Sequence, residues 1–182
     1  MDEIIEIWDA SGKPTGTTAL KSEAHKNGWF HPTIHLWLYT HAGQVLLQKR
    51  AENKDTFPGL WDVSVAGHIL DGETPLAGAL RETKEEIGLF LQADQLEFLG
   101  RFTSDQKHPG GIHDREFQYV YLAELPVPLE ELNGNPGEVA ALELRSLLRL
   151  AEELWGMAAP AGYVPHSRMY YKAVFKALQS RV

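Results

Sequence analysis

Three glutamates, Glu82, Glu85 and Glu86, have the type and spacing that metal-dependent chemistry requires. Residues three or four positions apart lie on one face of a helix, so the three carboxylates would project together. Like charges in one place repel one another, and a hard cation with oxygen ligands relieves that repulsion. Magnesium bound in this way can neutralise a diphosphate and activate water. Spacing alone leaves a second interpretation open, because an acidic helix face is often simply solvated.

The element that would position these acids is a helix predicted over residues 75–87. Its apolar row recurs every three or four residues and is expected to face the core: Leu76, Leu80, Thr83 and Ile87. Thr74 suits the N-cap, Pro75 the first turn, and Gly88 the C-terminal stop. We therefore expect the acids on the opposite, exposed face.

The rest of the chain alternates apolar segments with turn signals. A turn is predicted at 11–14, a hairpin around 41–43 and a polar loop over 51–59. Strands are predicted over residues 4–8, 33–39, 44–48, 61–66, 96–102, 117–124 and 139–144, and further helices over 146–155 and 168–178. There is no internal repeat or interdomain linker, so we expect a single domain over residues 1–182.

Composition narrows the function further. The 182 residues are 43% hydrophobic and 23% charged, which is typical of one compact domain. No cysteine is present, which excludes disulfides, zinc-thiolate sites and thiol nucleophiles. A net charge of -8 disfavours nucleic acid and anionic membranes as partners. The acidic N-terminus and the lack of a long apolar run indicate a cytoplasmic protein with a small-molecule partner, and a homodimer stays open.

Residues 67–89 resemble the Nudix box. The box places a glycine before a glutamate, then an Arg-Glu pair, a Glu-Glu pair and a final glycine; here these are Gly67, Glu73, Arg81-Glu82, Glu85-Glu86 and Gly88. Thr83 stands where the family usually has an aliphatic residue. The resemblance implies an α/β/α sandwich, an α/β (α+β) fold with a mixed central β-sheet, and a pyrophosphohydrolase that uses Mg²⁺ or Mn²⁺ to cleave a diphosphate linkage.

The same resemblance implies roles for the box residues. Glu82, Glu85 and Glu86 would be metal ligands, with the Gly67 carbonyl as a further ligand. Arg81 and Glu73 would belong to the catalytic site by orienting the acids and the loop. The general base stays open between Glu116, the first candidate, and Glu82.

Outside the box, residues 5–125 resemble the branch that includes type I isopentenyl-diphosphate isomerase. The marks include Trp8-Asp9, Trp37, Lys49-Arg50 and Phe57-Pro58-Gly59-Leu60-Trp61. The resemblance implies a second metal site at five positions: His25, His31, His68, Asp114 and Glu116. Such a histidine and carboxylate set would hold Mn, Fe or Zn as readily as Mg.

The isomerases need a cysteine directly before the Gly-His pair, where this chain has Ala66. The box acids needed for hydrolysis are complete, so we expect a hydrolase that is similar to the isomerases. A noncatalytic ligand-sensing Nudix domain and an isomerase are the alternatives. The organic part of the substrate stays open; Trp29, Phe30, Trp37 and Trp61 are either pocket or core residues.

Overall fold

The computed structural model describes residues 2–155 and 162–182. Its strands are β1 (Ile4–Trp8), β2 (Pro14–Leu20), β3 (Phe30–Thr40), β4 (Gln44–Arg50), β5 (Trp61–Asp62), β6 (Val65–His68), β7 (Glu97–Lys107), β8 (His113–Glu124) and β9 (Val139–Ser146). Its α-helices are α1 (Lys21–Asn27), α2 (Pro75–Ile87), α3 (Leu147–Trp155) and α4 (Arg168–Gln179).

Strand β3 is the centre of one mixed sheet. It pairs in parallel with β8 along its length and antiparallel with β6, while β4 joins it only at Tyr39 and Thr40. Strand β4 then continues the sheet through β9 and β5. Because β4 pairs with so little of β3, there is room for β6 beside β3 on the same side. The strand ends that carry the candidate site residues meet where β3 and β4 diverge.

Helices cover both faces of this sheet. Successive side chains of β3 point to opposite faces, so Ile34, Leu36 and Leu38 pack beneath α2 while Trp37 packs with α3 and α4. The arrangement confirms the predicted α/β/α sandwich with a mixed central β-sheet. No helix within residues 2–155 and 162–182 is long and apolar enough to cross a membrane.

Helix α2 follows the predicted bounds. The Thr74 side chain accepts a hydrogen bond from the Ala77 amide, and Gly88 adopts the left-handed conformation that ends the helix. Thr83 is fully buried, and its hydroxyl donates to the Ala79 carbonyl at 2.6 Å. This local bond satisfies the one polar group in the core-facing row, which explains why threonine is accepted there.

The expectation that the three acids share an exposed face is wrong for two of them. Glu82 and Glu86 are only 7% and 3% exposed, whereas the Glu85 side chain is 55% exposed. The face of α2 that packs on the sheet includes Glu82 and Glu86 beside Thr83 and Ile87, so these two acids are buried between the helix and β6, while Glu85 lies on the outer side. Sequence periodicity identifies a face, but only packing determines what covers it.

Three other elements differ from expectation. Strand β2 and helix α1 were not predicted, and α1 is too short for helical periodicity to identify. The strand predicted over 61–66 is divided into β5 and β6, which pair with different partners, β4 and β3. The division places Asp62 beside β4 and Ala66 beside β3.

Candidate active site

Arg81 organises the acids of the box through one guanidinium group. It donates to both carboxylate oxygens of Glu73 at 3.0 Å, to Glu82 at 2.7 Å and to Glu85 at 3.0 Å. A further bond at 2.8 Å reaches the carbonyl of His68 at the end of β6. Burial lowers the pKa of Arg81, but its hydrogen bonds to Glu73 and Glu82 and the negative charges of these acids outweigh burial and raise the pKa above the ordinary arginine value. Arg81 therefore stays charged and ties the helix to the loop and the sheet.

Glu82 occupies space that any side chain at position 67 would fill. A Cβ atom built on Gly67 would lie 2.1 Å from the Glu82 Cδ atom, which is closer than real contacts allow. Glycine is therefore required by the approach of the carboxylate to the backbone of β6. Burial raises the pKa of Glu82 to about 7, against the lowering effect of Arg81.

Glu86 lies between β4 and β6, and each of these strands supplies it with a hydrogen-bond donor. Its Oε2 atom accepts hydrogen bonds from the Gln48 side chain at 2.9 Å and from the Ala66 amide at 3.2 Å. Burial, with the charge of Glu82, raises the pKa of Glu86 to about 8. Ionising both acids in this place is costly without added positive charge, and a divalent cation would supply it. The donor set fits such an ion.

The structure also brings together the residues of the second proposed metal site. One ring nitrogen from each of His25, His31 and His68 lies within 4.8 Å of the others, as do one ligand atom each from His31, Asp114 and Glu116. These residues come from α1, β3, β6 and β8. The parallel pairing of β3 with β8 sets His31 opposite Glu116, and the pairing of β3 with β6 sets His68 beside Thr33.

The polar atoms of this second cluster fit a cation. Four of them are buried without a hydrogen bond to the described residues: the Nε2 atoms of His25, His31 and His68, and Oδ1 of Asp114. An unpaired buried polar atom is destabilising, so a shared ligand is the natural partner. Burial, with the nearby charge of His31, lowers the pKa of His25 to about 3. Burial likewise lowers the pKa of His31 and His68, which favours the neutral imidazole that binds metal.

Three charged residues beside these clusters were missed from the sequence. Glu3 lies 3.5 Å from His68, Lys21 lies 3.6 Å from Glu3, and Lys54 forms an ion pair with Glu138. Burial lowers the pKa of Lys54. Each lies in a segment without a recognisable motif. Only the tertiary structure shows that the start of β1, the start of α1 and the 51–59 loop come together beside the clusters.

Most of these groups line one cavity of about 520 Å³. Its wall includes the three box acids, Gly67, His25, His68, Asp114 and Glu116. A volume of this size suits a small organic ligand. Arg81 and Glu73 lie behind this wall, in contact with the acids rather than with the cavity, which agrees with an orienting role.

Comparison with known proteins identifies the family. A sequence model of the NUDIX domain matches residues 29–167. An uncharacterized Nudix hydrolase of Clostridium acetobutylicum is 31% identical, with 97% of each chain aligned. The chain is 36% identical to Nudix hydrolase 3 of Arabidopsis thaliana over 78% of its own length, but spans only 19% of that protein. Isopentenyl-diphosphate Delta-isomerase of Streptomyces griseus is 34% identical, with 78% of this chain and 73% of that protein aligned. The chain belongs to the Nudix family, and its relatives include both hydrolases and isomerases.

Solved structures show the same fold at lower identity. A protein of Deinococcus radiodurans matches with a TM-score of 0.70 and 19% identity, covering 98% of this chain and 99% of that one. The NUDIX domain of Shewanella oneidensis NrtR, crystallised with ADP ribose, matches with a TM-score of 0.58 and 17% identity, covering 83% and 88%. These likenesses establish the Nudix fold.

The contact between Gly67 and Glu82 generates a test. Gly67→Ala should displace the Glu82 carboxylate and weaken Mn²⁺ binding by about tenfold or more, measured by calorimetry on chelator-treated protein. Gly100→Ala is the matched control, because its added Cβ would meet only Phe102 at an ordinary 3.5 Å. Equal Mn²⁺ affinity in both variants would show that Glu82 does not depend on Gly67.

Proposed function

We propose that this chain is a pyrophosphohydrolase that cleaves a diphosphate linkage in a small molecule with the help of Mg²⁺ or Mn²⁺. One observation carries the proposal: the box acids Glu82, Glu85 and Glu86 line a single polar cavity. The complete acid set distinguishes hydrolysis from ligand sensing, which has no need of it. Homology to Nudix hydrolases supports the same reaction class.

The three acids, with the carbonyl of Gly67, would hold the divalent ion. When bound, such an ion supplies charge neutralisation for the diphosphate and lowers the pKa of an attacking water. Arg81 and Glu73 keep the acids in place, because the guanidinium holds Glu82 and Glu85 while Glu73 fixes the guanidinium. Fixed charge in a water-poor site is the main source of catalysis in phosphoryl transfer.

Glu116 is our first candidate for the general base. It lines the cavity, and its Oε2 atom accepts a hydrogen bond from the Gln118 side chain at 2.8 Å, which orients the carboxylate. From there it can accept a proton from the attacking water. Glu82 is the second candidate, since its carboxylate lies in the same cavity.

The cluster of His25, His31, His68, Asp114 and Glu116 is proposed as a second metal site. Two imidazole Nε2 atoms, of His25 and His31, lie 3.6 and 3.5 Å from the same Asp114 oxygen. This approach supports Asp114 as a partner of the histidines although aspartate is shorter than the glutamate of the isomerases. Mn, Fe or Zn would suit such a donor set as well as Mg.

Replacing the acids tests the hydrolase proposal. Glu85→Gln or Glu86→Gln should lower Mg-dependent phosphate release from diphosphate substrates by at least about a hundredfold, since metal-based charge stabilisation is lost. Glu130→Gln, at an exposed position outside the cavity, is the control and should keep full turnover. Near-normal turnover by the folded Glu85 variant at saturating Mg²⁺ would contradict the assignment.

The histidine cluster makes a separate prediction about metal content. His68→Gln should lower the amount of tightly bound transition metal, measured by plasma mass spectrometry after loading with Mn²⁺ or Zn²⁺ and desalting. His41→Gln is the control, because His41 is an exposed histidine on the β3–β4 hairpin, away from the cavity, and forms an ion pair with the exposed Glu124. Identical metal content in wild type and both variants would reject the second site.

Isomerase activity provides the third test. No conversion of isopentenyl diphosphate to dimethylallyl diphosphate is expected, because Ala66 supplies no proton donor where the isomerases have a thiol. Product analysis by mass-resolved chromatography checks this directly. Appearance of dimethylallyl diphosphate would favour the isomerase alternative over hydrolysis.

A further inference from the structure

A group of buried polar side chains lines the cavity beside the acids and takes no part in the proposed chemistry. Its members are His35, Arg50, Asp62 and His166. Asp62 and His166 are joined by a hydrogen bond of 3.0 Å between Oδ1 and Nε2, and this Asp62–His166 pair is nearly inaccessible to solvent.

The Asp62 carboxylate determines how the His166 ring is oriented. Burial raises the pKa of Asp62, but the bond from His166 and the charge of Arg50, at 3.3 Å, outweigh it and bring the pKa below the ordinary value. An ionised carboxylate accepts hydrogen bonds only, so Nε2 of His166 donates. The other ring nitrogen, Nδ1, has no hydrogen bond to any residue of 2–155 or 162–182, and it is the atom left for a ligand.

The backbone around His166 is fixed by hydrogen bonds to β5. The Trp61 amide donates to the Gly162 carbonyl at 2.8 Å, and the Val164 amide donates to the Trp61 carbonyl at 2.9 Å. The His166 ring also stacks on Tyr170, with the ring centroids 4.6 Å apart. Tyr170 is itself held by Trp37, whose indole donates to its hydroxyl at 2.9 Å. His166 is therefore presented to the cavity in a preorganised position.

This pair stands next to the acid cluster. Asp62 lies directly opposite Gln48 in the pairing of β4 with β5, so the two side chains share a face of the sheet. The Gln48 amide in turn donates to Glu86 at 2.9 Å. A diphosphate held at the box acids would thus place its attached organic group near the Asp62–His166 pair.

The chemistry of the wall favours a polar organic group. Apart from glycines, the apolar side chains recorded in the cavity wall are Phe57, Ala66 and Val164. The four aromatic residues considered from the sequence do not contribute to it: Trp37 is core, Phe30 packs on Phe117, Trp61 lies under Arg145, and Trp29 is outside the wall. A hydrocarbon chain would leave many of the polar groups of this wall without partners, which is unfavourable.

We propose that His166, oriented by Asp62, is a specificity-determining residue whose Nδ1 atom hydrogen-bonds a hydroxyl on the organic group of the substrate. A hydroxyl both donates and accepts, so it matches Nδ1 whether the ring is neutral or protonated. The inference rests on the proposed function only in assuming that the diphosphate binds at the box acids. The substrate would then be a diphosphate whose organic group carries a hydroxyl, and not an isoprenoid diphosphate.

The test compares two ligands with equal numbers of carbon atoms, ribose 5-diphosphate and isopentenyl diphosphate. Binding is measured by calorimetry with Mg²⁺ in a Glu116→Gln background, where the first candidate for the general base is lost, turnover is expected to be slow, and the box acids that would hold Mg²⁺ are intact. Ribose 5-diphosphate should bind at least about tenfold more tightly, the ratio expected when one good hydrogen bond is gained. Equal affinities, tighter binding of isopentenyl diphosphate, or no binding of either ligand would overturn the inference.

Two further variants in this background locate the effect at Nδ1. His166→Gln keeps a donor near Asp62 but has no atom at the Nδ1 position, and should weaken ribose 5-diphosphate binding by about tenfold without changing isopentenyl diphosphate binding. His166→Asn places a polar atom near Nδ1 and should retain more of the affinity than His166→Gln. Equal losses for both ligands, or no loss at all, would reject the role.

Hydrolysis is measured separately with the wild-type protein. If it cleaves no diphosphate while the binding preference holds, the proposed function fails and the role of His166 stands. If it cleaves diphosphates but binds both ligands equally, the proposed function stands and the role of His166 fails.

Discussion

The guanidinium of Arg81 is the interaction on which the arrangement of the site depends. It joins Glu73 of the box loop, Glu82 and Glu85 of α2, and the His68 carbonyl at the end of β6. Its planar fork lets one side chain hold several acceptors in fixed directions, which a lysine could not do. Because His68 also belongs to the histidine cluster, the same contact relates the two groups of metal-binding candidates to each other.

The divergence of β4 from β3 creates the space in which the acids lie. Glu86 reaches into it and takes donors from Gln48 on one strand and Ala66 on another. Glu82 approaches the backbone so closely that only glycine fits at position 67. Burial raises the pKa of both acids, which means that their ionised forms are destabilised there. A bound cation would stabilise the ionised carboxylates.

The fold does not decide between hydrolysis and isomerisation, since relatives of both kinds align with this chain. The two activities differ at single side-chain positions on the same fold. Ala66 offers no thiol, and its backbone amide instead supports Glu86, a residue of the complete acid set. Function in this family must therefore be argued from side chains at the site.

The sequence by itself predicted helix α2 with its caps, and the resemblance of residues 67–89 to the Nudix box implied the α/β/α class. The spacing of the glutamates also fixed which acids share a helix face. The helix, its caps and the glutamate spacing are local features, so pattern and propensity suffice to identify them, whereas the fold class was implied by a continuous motif shared with a known family.

Tertiary structure alone decided which acids are buried and where β5 and β6 separate. It also brings His25, Asp114 and Glu116 beside His68, a meeting that the sequence implied only through the family resemblance. It also brought His166 from the chain segment before α4 to Asp62 on β5. These contacts join residues far apart in the chain through strand pairing and helix packing. No local preference encodes them, because each depends on which elements share the sheet and which face each helix covers.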